Sequence, residues 1–434
     1  MISLTRRFLV LSVTFLLLCQ PQVLAEDLPV AQPEELGLSA EQLERVSTML
    51  QSYIDDGRLP GAVALVVRRG KVGYFEAFGH QDKESNVPMS KDSIFRIASQ
   101  TKALISVGIM MLQEEGNLLI SDPVGHYLPE FQQTTVAVFN DHGGYDVVEA
   151  DRPITIRHLL THTAGISYGN GPAKNEWAEA GIQGWYFADR DEPIGATISR
   201  LANLPFDAQP GTTWIYGYAI DILGALIESV SGVPLDEFLE TRLLTPLKMD
   251  DTHFYLPQTK DDRLSVVYSV TETGSLERAP NPGHRESSSG YFGMIGQGTY
   301  AEGPRKSFSG GAGLLSTATD YARFLQMLLN DGELDGARIL SRKSVELMTV
   351  NHLKEIPFND GQGFGLGFSV VDDVGARGIP GSVGEFGWGG AYHSTYWVDP
   401  EEDLVVVYFT QVIPAGDLDE HGKLRTLVYR SIID

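Results

Sequence analysis

The stretch FRIASQTKALISVG, residues 95–108, places a serine three residues before a lysine where a helical apolar pattern begins. Apolar residues recur at helical intervals to about residue 115, and Gly116 and Asn117 follow as a stop signal. This pattern predicts a helix that starts at Ser99. Residues three apart share one face of a helix, so we expect Lys102 to reach the hydroxyl of Ser99.

Two interpretations of this serine and lysine differ in chemistry. A serine hydroxyl becomes a nucleophile only beside a base, and Lys102 could be that base if burial lowered its pKa. Alternatively, Ser99 caps the helix and Lys102 is a solvated surface charge. The tetrapeptide alone favours the cap, although Ser-x-x-Lys occurs only here in the chain. Other parts of the sequence must decide between the two.

The first 25 of the 434 residues have the pattern of a secretory signal. Arg6 and Arg7 precede an apolar run, and Ala25 ends a small-residue cleavage site. We therefore expect an exported protein, periplasmic or secreted, with no stable membrane insertion after signal removal. A lipoprotein anchored at Cys19 is the less favoured alternative, because residues 16–18 lack the small residue that such processing usually needs.

Cysteine content and charge exclude several classes of function. The only cysteine lies inside the predicted signal, so the mature chain would hold no disulfide, no Cys-ligated metal and no Cys nucleophile. The formal net charge is −24, which argues against nucleic acid and anionic membranes as partners. The sequence leaves the oligomeric state open.

Strand patterns occur near both ends of the chain and helical patterns between them. AVALVVRRGKVGYFEAFG predicts a hairpin around Arg69 and Gly70, and STYWVDPEEDLVVVYFTQ predicts a strand pair around an Asp-Pro turn. A helix beginning near Ser39 precedes the first pair, and KLRTLVYRSIID predicts a final helix. The fold class is therefore α/β (α+β), with an antiparallel sheet built from both chain ends and flanked by helices, plus a helical subdomain.

The domain boundaries follow from this alternation. After the signal, residues 26–434 form one domain, with an α/β part at about 26–95 and 306–434 and a helical part at about 96–305. Within the helical part we expect helices at 156–161, 219–231 and 235–247, separated by long loops. The segment 271–313 is rich in Ser, Gly and Pro, which is typical of a functional or mobile loop, and whether it covers a cleft stays open.

Six stretches in order resemble one family: FRIASQTKALISVGIMMLQEEGNLLISDPV, ITIRHLLTHTAGI, PGTTWIYGYAIDILGALIE, GGAGLLSTATDYARFLQMLLN, GFGLGF and FGWGGAYHSTYWVDPEEDLVVVYFTQ. They are similar to the serine β-lactamase and penicillin-binding-protein superfamily, chiefly to class C-like members and to the esterases of that fold. The resemblance implies a β-lactamase/transpeptidase-like fold and an acyl-enzyme mechanism. In it, Ser99 is the nucleophile and Lys102 its base.

The family's second motif, Tyr-x-Asn, falls on Tyr216-Gly217-Tyr218. The resemblance implies that Tyr216 shares a proton with Lys102 and protonates the leaving group. Tyr218 takes the place of the motif's Asn as a substrate-binding residue and puts binding of peptide-like substrates in doubt. Read without the family, these aromatic residues at period-two spacing indicate packing.

The third motif, Lys-Thr-Gly in the family, falls on Trp388-Gly389-Gly390. Without the Lys there is no cation to pair with a substrate carboxylate, so the change is similar to the esterase members and favours uncharged acyl substrates. The two glycines would let the strand backbone approach a substrate. By its place in the motif, the N–H of Ala391 would complete an oxyanion hole with that of Ser99.

Four further residues have a functional and a structural interpretation. Ser167 lies in Gly-Ile-Ser-Tyr-Gly, which matches a nucleophile elbow but lacks the preceding strand and following helix. His158 and His162 have zinc-ligand spacing without a third ligand, so we expect them to be structural. His393 is a candidate for contacting substrate or assisting deacylation, and the alternative is packing.

The sequence thus predicts an exported serine hydrolase that acts on a small-molecule ester or amide, with carboxylic esters favoured. This chemistry requires neither a metal nor an organic cofactor. One alternative is a β-lactamase or D-Ala-D-Ala carboxypeptidase. Another is a binding or sensor domain that keeps the fold without turnover.

Overall fold

The computed structural model describes residues 28–286 and 293–434. The predicted signal lies outside the described residues. Within them, no helix is both long and apolar enough to cross a membrane.

Strands and helices follow one another along the whole described chain. The strands are β1 Gly61–Arg68, β2 Lys71–Asp82, β3 Val87–Pro88, β4 Phe95–Arg96, β5 Thr135–Phe139, β6 Tyr145–Glu149, β7 Tyr268–Val270, β8 Leu276–Arg278, β9 His284–Glu286, β10 Gly293–Ile295, β11 Leu315–Ser316, β12 Glu333–Leu334, β13 Ala337–Arg338, β14 Gln362–Phe364, β15 Ser369–Val371, β16 Phe386–Gly390, β17 Ser394–Asp399 and β18 Leu404–Thr410. The α-helices are α1 Ala40–Asp55, α2 Thr101–Glu114, α3 Ile156–Leu160, α4 Lys174–Glu179, α5 Ile194–Leu201, α6 Ala219–Ser231, α7 Leu235–Leu239, α8 Ala318–Leu329, α9 Arg342–Met348, α10 Val374–Arg377 and α11 Glu420–Arg430.

One eight-stranded antiparallel sheet joins the two ends of the chain, in the order β14-β15-β16-β17-β18-β1-β2-β3. Its centre is the pairing of β1 with β18, from Ala62 opposite Thr410 to Arg68 opposite Leu404. The predicted fold class and the origin of the sheet in both chain ends are confirmed. The hairpin turn at Arg69 and Gly70 also lies where the sequence predicts it, with both residues at positive φ.

Helices cover both faces of this sheet. Ala62 and Val66 of β1 pack with α1 and α11, whereas Val63 and Leu65 belong to the larger core that contains α2 and α8. A strand buried on both faces is apolar throughout, which explains the continuous run of small and β-branched residues in β1.

The helical part differs from the expectation in three places. The pattern at 235–247 forms α7 followed by a π-helical turn, Glu240–Leu244, instead of one helix. A predicted loop contains the hairpin β5–β6, because β-branched residues flank a turn in which Asn140 and Gly144 are hydrogen-bonded. The segment 271–313 contains β8, β9 and β10, and residues 287–292 lie outside the described residues.

Helix α2 lies at the centre of the molecule and is buried from Thr101 to Leu112. Just before it, β4 pairs with β11, which fixes the chain that leads into the helix. The strand β16 of the large sheet packs against the short 3₁₀ turn Ala98–Gln100 at the start of α2. The junction of sheet and helical part thus lies at Ser99.

Candidate active site

Ser99 lies in the 3₁₀ turn Ala98–Gln100 rather than at the first position of α2. Its neighbour Ala98 is buried and has φ of +43°, a left-handed conformation that costs energy for a residue other than glycine. No side chain caps either the 3₁₀ turn or α2. The cap interpretation of Ser99 is therefore wrong, and the bend leaves Ser99 partly exposed between buried neighbours.

Lys102 is only 2% exposed, so its interpretation as a solvated surface charge is wrong as well. Its ammonium group donates to Ser99 Oγ at 3.2 Å, to the hydroxyl of Tyr168 at 3.1 Å and to the carbonyl oxygen of Gly311 at 2.7 Å. These three acceptors match the three donors of an ammonium group. Hydrogen bonds through Lys102 therefore connect the serine with a tyrosine.

A buried carboxylate holds the third acceptor of Lys102 in place. Asp221 Oδ1 accepts from Ser309 Oγ at 2.6 Å and from the backbone N–H of Gly311 at 3.0 Å. Burial raises the pKa of Asp221, while the bond from Ser309 and the charge of Lys102 lower it. A Cβ on Gly311 would lie 2.2 Å from Asp221 Oδ2, so only glycine lets this loop carry its carbonyl to Lys102.

Two tyrosines flank Lys102, and the sequence predicts only one of them. The ring of Tyr216 has its centroid 4.6 Å from Lys102 Nζ, whereas the tyrosine hydroxyl that accepts a hydrogen bond from Lys102 is that of Tyr168. Burial, and then the neighbouring Tyr216 and Asp221, raise the pKa of Tyr168 well above its usual value. Tyr168 is thus a neutral hydroxyl at pH 7, able to accept from Lys102 and to donate its own proton.

Tyr168 belongs to the same Gly-Ile-Ser-Tyr-Gly segment that was considered for its serine. That serine, Ser167, is buried, and its Oγ accepts from the backbone N–H groups of Gly169 and Asn170. The segment follows helix α3 and is no nucleophile elbow. In the sequence, Tyr168 is marked only as an aromatic residue in a loop of mostly small and polar residues. That pattern is too weak to predict a partner for Lys102.

The third motif forms the end of strand β16 and the opposite side of the site. Trp388 donates its indole N–H to the hydroxyl of Tyr216 at 3.0 Å, so it is linked to the second motif. Its ring lies among aromatic side chains, with centroid distances of 5.3 Å to Phe364 and 6.4 Å to Trp214. Phe358 packs on Trp214 at 4.8 Å and extends this surface, which we call the aromatic wall.

Gly390 explains how strand β16 and the 3₁₀ turn Ala98–Gln100 come together. A Cβ there would lie 2.5 Å from the carbonyl oxygen of Ile97 and 2.5 Å from Ser394 Oγ. A Cβ on Gly389 would meet its nearest neighbour, the carbonyl oxygen of Ser394, only at 3.0 Å. The glycine requirement is therefore strongest at the position next to Ala391, whose oxyanion role stays a prediction.

Tyr218 does not lie where the motif comparison expects it. It is fully buried, donates its hydroxyl proton to the carbonyl of Gly184 and stacks on Phe187 at 4.6 Å. Its ring supports Tyr168 from behind in an edge-to-face contact at 5.0 Å. The prediction that Tyr218 contacts substrate is corrected, because complete burial leaves it a packing role.

The histidines take separate places. His158 accepts from the backbone N–H of Thr155 and caps α3, as expected for a structural residue. His162 is buried against the ring of Tyr216 at 4.6 Å, and burial, followed by the charge of Lys102, lowers its pKa well below the usual value. His393 lies in the turn after β16 and contacts helix α11, so its contact with substrate stays a prediction.

Comparisons with known proteins identify the family and the fold of the chain. A protein-family model described as Beta-lactamase matches residues 46–429. Esterase EstB of Burkholderia gladioli is 31% identical over 410 residues, which cover 88% of this chain and 94% of that protein. Lovastatin esterase of Penicillium rubens is 29% identical, covering 89% of this chain and 98% of that protein. The solved structure of EstCE1, titled a hydrolase with promiscuous acyltransferase activity, has a TM-score of 0.75 at 29% identity and covers 91% of this chain and 98% of its own.

Proposed function

The chain belongs to the β-lactamase family, and we propose that it is a serine hydrolase that cleaves carboxylic esters through an acyl-enzyme on Ser99. The observation that carries the proposal is the pairing of a buried Lys102 with the hydroxyl of Ser99 at 3.2 Å. The esterase relatives support a hydrolase of this fold that acts on esters. The residue roles below are part of the proposal.

In the acylation step, the amine of Lys102, which lies 3.2 Å from Ser99 Oγ, accepts the proton of that hydroxyl as the oxygen attacks the ester carbonyl. The tetrahedral oxyanion is stabilised by the backbone N–H groups of Ser99 and Ala391. Collapse of the tetrahedral intermediate breaks the bond between the carbonyl carbon and the alcohol oxygen. The alcohol oxygen receives the proton that Lys102 took up, through one of the two tyrosines beside it. Water then attacks the acyl carbonyl and gives up one proton to Lys102. The bond between the acyl carbon and Ser99 Oγ breaks, Lys102 returns the proton to that oxygen, and the carboxylic acid leaves.

Tyr168 and Tyr216 are the two candidates for the group that returns the proton. Tyr168 has the direct hydrogen bond to Lys102, at 3.1 Å, and a raised pKa that keeps its proton available. Tyr216 has its ring on the ammonium group and its hydroxyl held by Trp388. We assign the relay to Tyr168 and the orientation of the leaving group to Tyr216.

The aromatic wall supports neutral acyl substrates over carboxylate-bearing ones. Where the superfamily motif has a lysine, Trp388 offers an apolar ring whose only N–H is already engaged by Tyr216. A penicillin or a peptide terminus would bring a carboxylate to this side without a cation to pair with it. An ester with an apolar acyl or alcohol group would instead bury its surface against the rings.

The test is labelling of the purified chain with a fluorophosphonate, with the adduct located by peptide mass spectrometry. Turnover of p-nitrophenyl acetate and nitrocefin is measured in parallel for wild type, Ser99→Ala and the control Ser167→Ala. We expect label on Ser99, ester turnover in wild type and Ser167→Ala, and none in Ser99→Ala. Fast nitrocefin cleavage with inert esters would instead favour the β-lactamase alternative. Absence of both label and turnover would favour a binding domain.

We also propose that the protein is exported, on the strength of the signal pattern in residues 1–25. Mass spectrometry of the mature N-terminus should find cleavage after Ala25. Retention of Cys19 with an attached lipid would contradict simple cleavage and favour the lipoprotein alternative.

A further inference from the structure

Three metal-ligating side chains meet outside the Ser99 site, where the turn after β16 reaches the start of α11. They are His393, Glu420 and His421, and one ligand atom from each lies within 4.8 Å of the other two. Nε2 of His393 lies 2.8 Å from Glu420 Oε1, and Nε2 of His421 lies 3.6 Å from the same oxygen. The two imidazole rings stack at 4.1 Å, so their edges approach the carboxylate together.

The backbone at His393 has a left-handed conformation that residues other than glycine rarely adopt. His393 has φ of +63° in the tight turn between β16 and β17, with its N–H bonded to the carbonyl of Gly390. Glu420 and His421 are consecutive residues in the first turn of α11. The turn and the helix thus each contribute at least one of the three side chains.

One carboxylate oxygen of Glu420 is a buried acceptor without a hydrogen-bond donor among the described residues. Its side chain is 0% exposed, and Oε1 accepts from the hydroxyl of Tyr408 at 3.3 Å. Oε2 is buried without a hydrogen-bond partner, as is Nε2 of His393 by hydrogen-bond geometry despite its short distance to Oε1. Buried polar atoms are nearly always partnered, by protein, water or an ion, because the loss of hydration is costly.

We infer that His393, Glu420 and His421 form a binding site for a divalent transition metal of the Zn²⁺ class. Imidazole nitrogen and carboxylate oxygen are ligands that such ions take at about 2.0–2.2 Å, which sets ligands about 3.4 Å apart in a tetrahedron. The observed 2.8 and 3.6 Å lie on either side of that separation. Water completes the coordination, and Tyr408 orients the carboxylate from outside.

The exposure of the two histidines allows a metal ion to reach the site, and the one contact that competes with it can be replaced. The side chains of His393 and His421 are 18% and 33% exposed, so an ion can enter from solvent without unfolding the helix. Nε2 of His421 also lies 3.2 Å from the carbonyl oxygen of His393, and metal binding through that nitrogen replaces this contact. Bound metal cross-links the turn after β16 to α11. The ester chemistry at Ser99 does not involve this ion.

The experiment titrates Zn²⁺ into the tag-free, chelator-stripped chain and measures binding by calorimetry and the thermal midpoint of unfolding. Co²⁺ serves as a spectroscopic probe, because its visible d–d bands report coordinated ligands. The variants are His421→Ala, His393→Ala and Glu420→Gln, and the control is His142→Ala, which removes an exposed histidine of the β5–β6 turn. Circular dichroism confirms that each variant is folded.

We expect one Zn²⁺ per chain, a raised thermal midpoint and Co²⁺ bands in wild type and His142→Ala. Affinity should fall at least about tenfold in His421→Ala and His393→Ala, since even outer partners of a metal are worth that much. Should Glu420→Gln fail to fold, the two partly exposed histidines still decide the question. Absence of binding in wild type, or equal affinity in wild type and both histidine variants, would overturn the site and leave a His–Glu ion pair.

Discussion

The two sides of the Ser99 site differ in what their side chains can do. On the helix side, Ser99, Lys102 and Tyr168 form a connected set of hydrogen bonds in which every donor of the lysine has an acceptor. On the strand side, Trp388 and the aromatic wall offer apolar surface and glycine backbone. The superfamily motif is kept at Ser99 and Lys102 and lost at Trp388. Substitutions on the two sides can therefore test bond cleavage and substrate recognition in turn.

One hydrogen bond joins the two sides. The indole N–H of Trp388 donates to Tyr216, whose ring lies on the ammonium group of Lys102. A lysine in place of Trp388 would remove that bond and bring a second cation towards the first. The aromatic replacement therefore does more than delete a carboxylate partner: it also holds a phenol against the base.

The largest loss of activity is expected from substitution of Ser99 on the helix side. Ser99→Ala should lower kcat/KM for p-nitrophenyl acetate by at least about 10⁴-fold, because it removes the Lys102-bonded hydroxyl that forms the acyl-enzyme in our proposal. Ser167→Ala, which alters a buried turn, should retain turnover once folding is verified by circular dichroism. Residual activity near wild type in Ser99→Ala would refute the acyl-enzyme proposal.

Substitution of the two tyrosines tests which of them relays the proton to the leaving group. Tyr168→Phe should lower kcat by about 10²- to 10⁴-fold, the usual worth of general acid–base help, because it removes the hydroxyl bonded to Lys102. Tyr216→Phe removes a hydroxyl that is bonded to Trp388 and Tyr168 but keeps the ring beside Lys102, so it should cost less. The check is the burst and steady-state rate of p-nitrophenol release for each variant. The reverse order would return the proton relay to Tyr216.

Sequence patterns sufficed where the signal was local or periodic. The sheet followed from continuous apolar runs at both chain ends. Helical spacing predicted that Lys102 reaches Ser99, whereas the catalytic roles of the two residues came only from the family resemblance. Tyr168 was missed because it reaches Lys102 from a loop 66 residues away in the sequence. Contacts between residues that far apart produce no periodic pattern from which they could be predicted. Tyr218 was misassigned because its place in a motif says nothing about which side of the chain faces the cleft. In the fold its ring lies behind Tyr168.

Gly390 tests whether the close approach of the two sides matters. Gly390→Ala should lower kcat/KM by about 10²-fold, since its Cβ would sit 2.5 Å from the carbonyl of Ile97 and shift the strand end, and displacements near 1 Å have that cost. Gly389→Ala, with 3.0 Å to its nearest neighbour, should cost less. Gly195→Ala in α5 meets nothing within 4 Å and is the neutral control. Equal activity of Gly390→Ala and the control would show that the strand does not position the reaction.

The smallest expected effects concern Trp388, which both faces the substrate in our proposal and holds the hydroxyl of Tyr216. Trp388→Lys should raise the kcat/KM ratio of a carboxylate-bearing substrate to a neutral ester by about tenfold, since a charge-assisted hydrogen bond contributes about 1.5–3 kcal/mol and solvent screens part of it. Trp388→Phe keeps the apolar ring but loses the indole N–H, so it should slow both substrates by about two- to tenfold while leaving their ratio unchanged. Measuring both substrates with both variants distinguishes the two functions of this residue. If Trp388→Lys leaves the ratio unchanged, the strand side does not select the substrate, and the preference for neutral esters must come from another part of the aromatic wall.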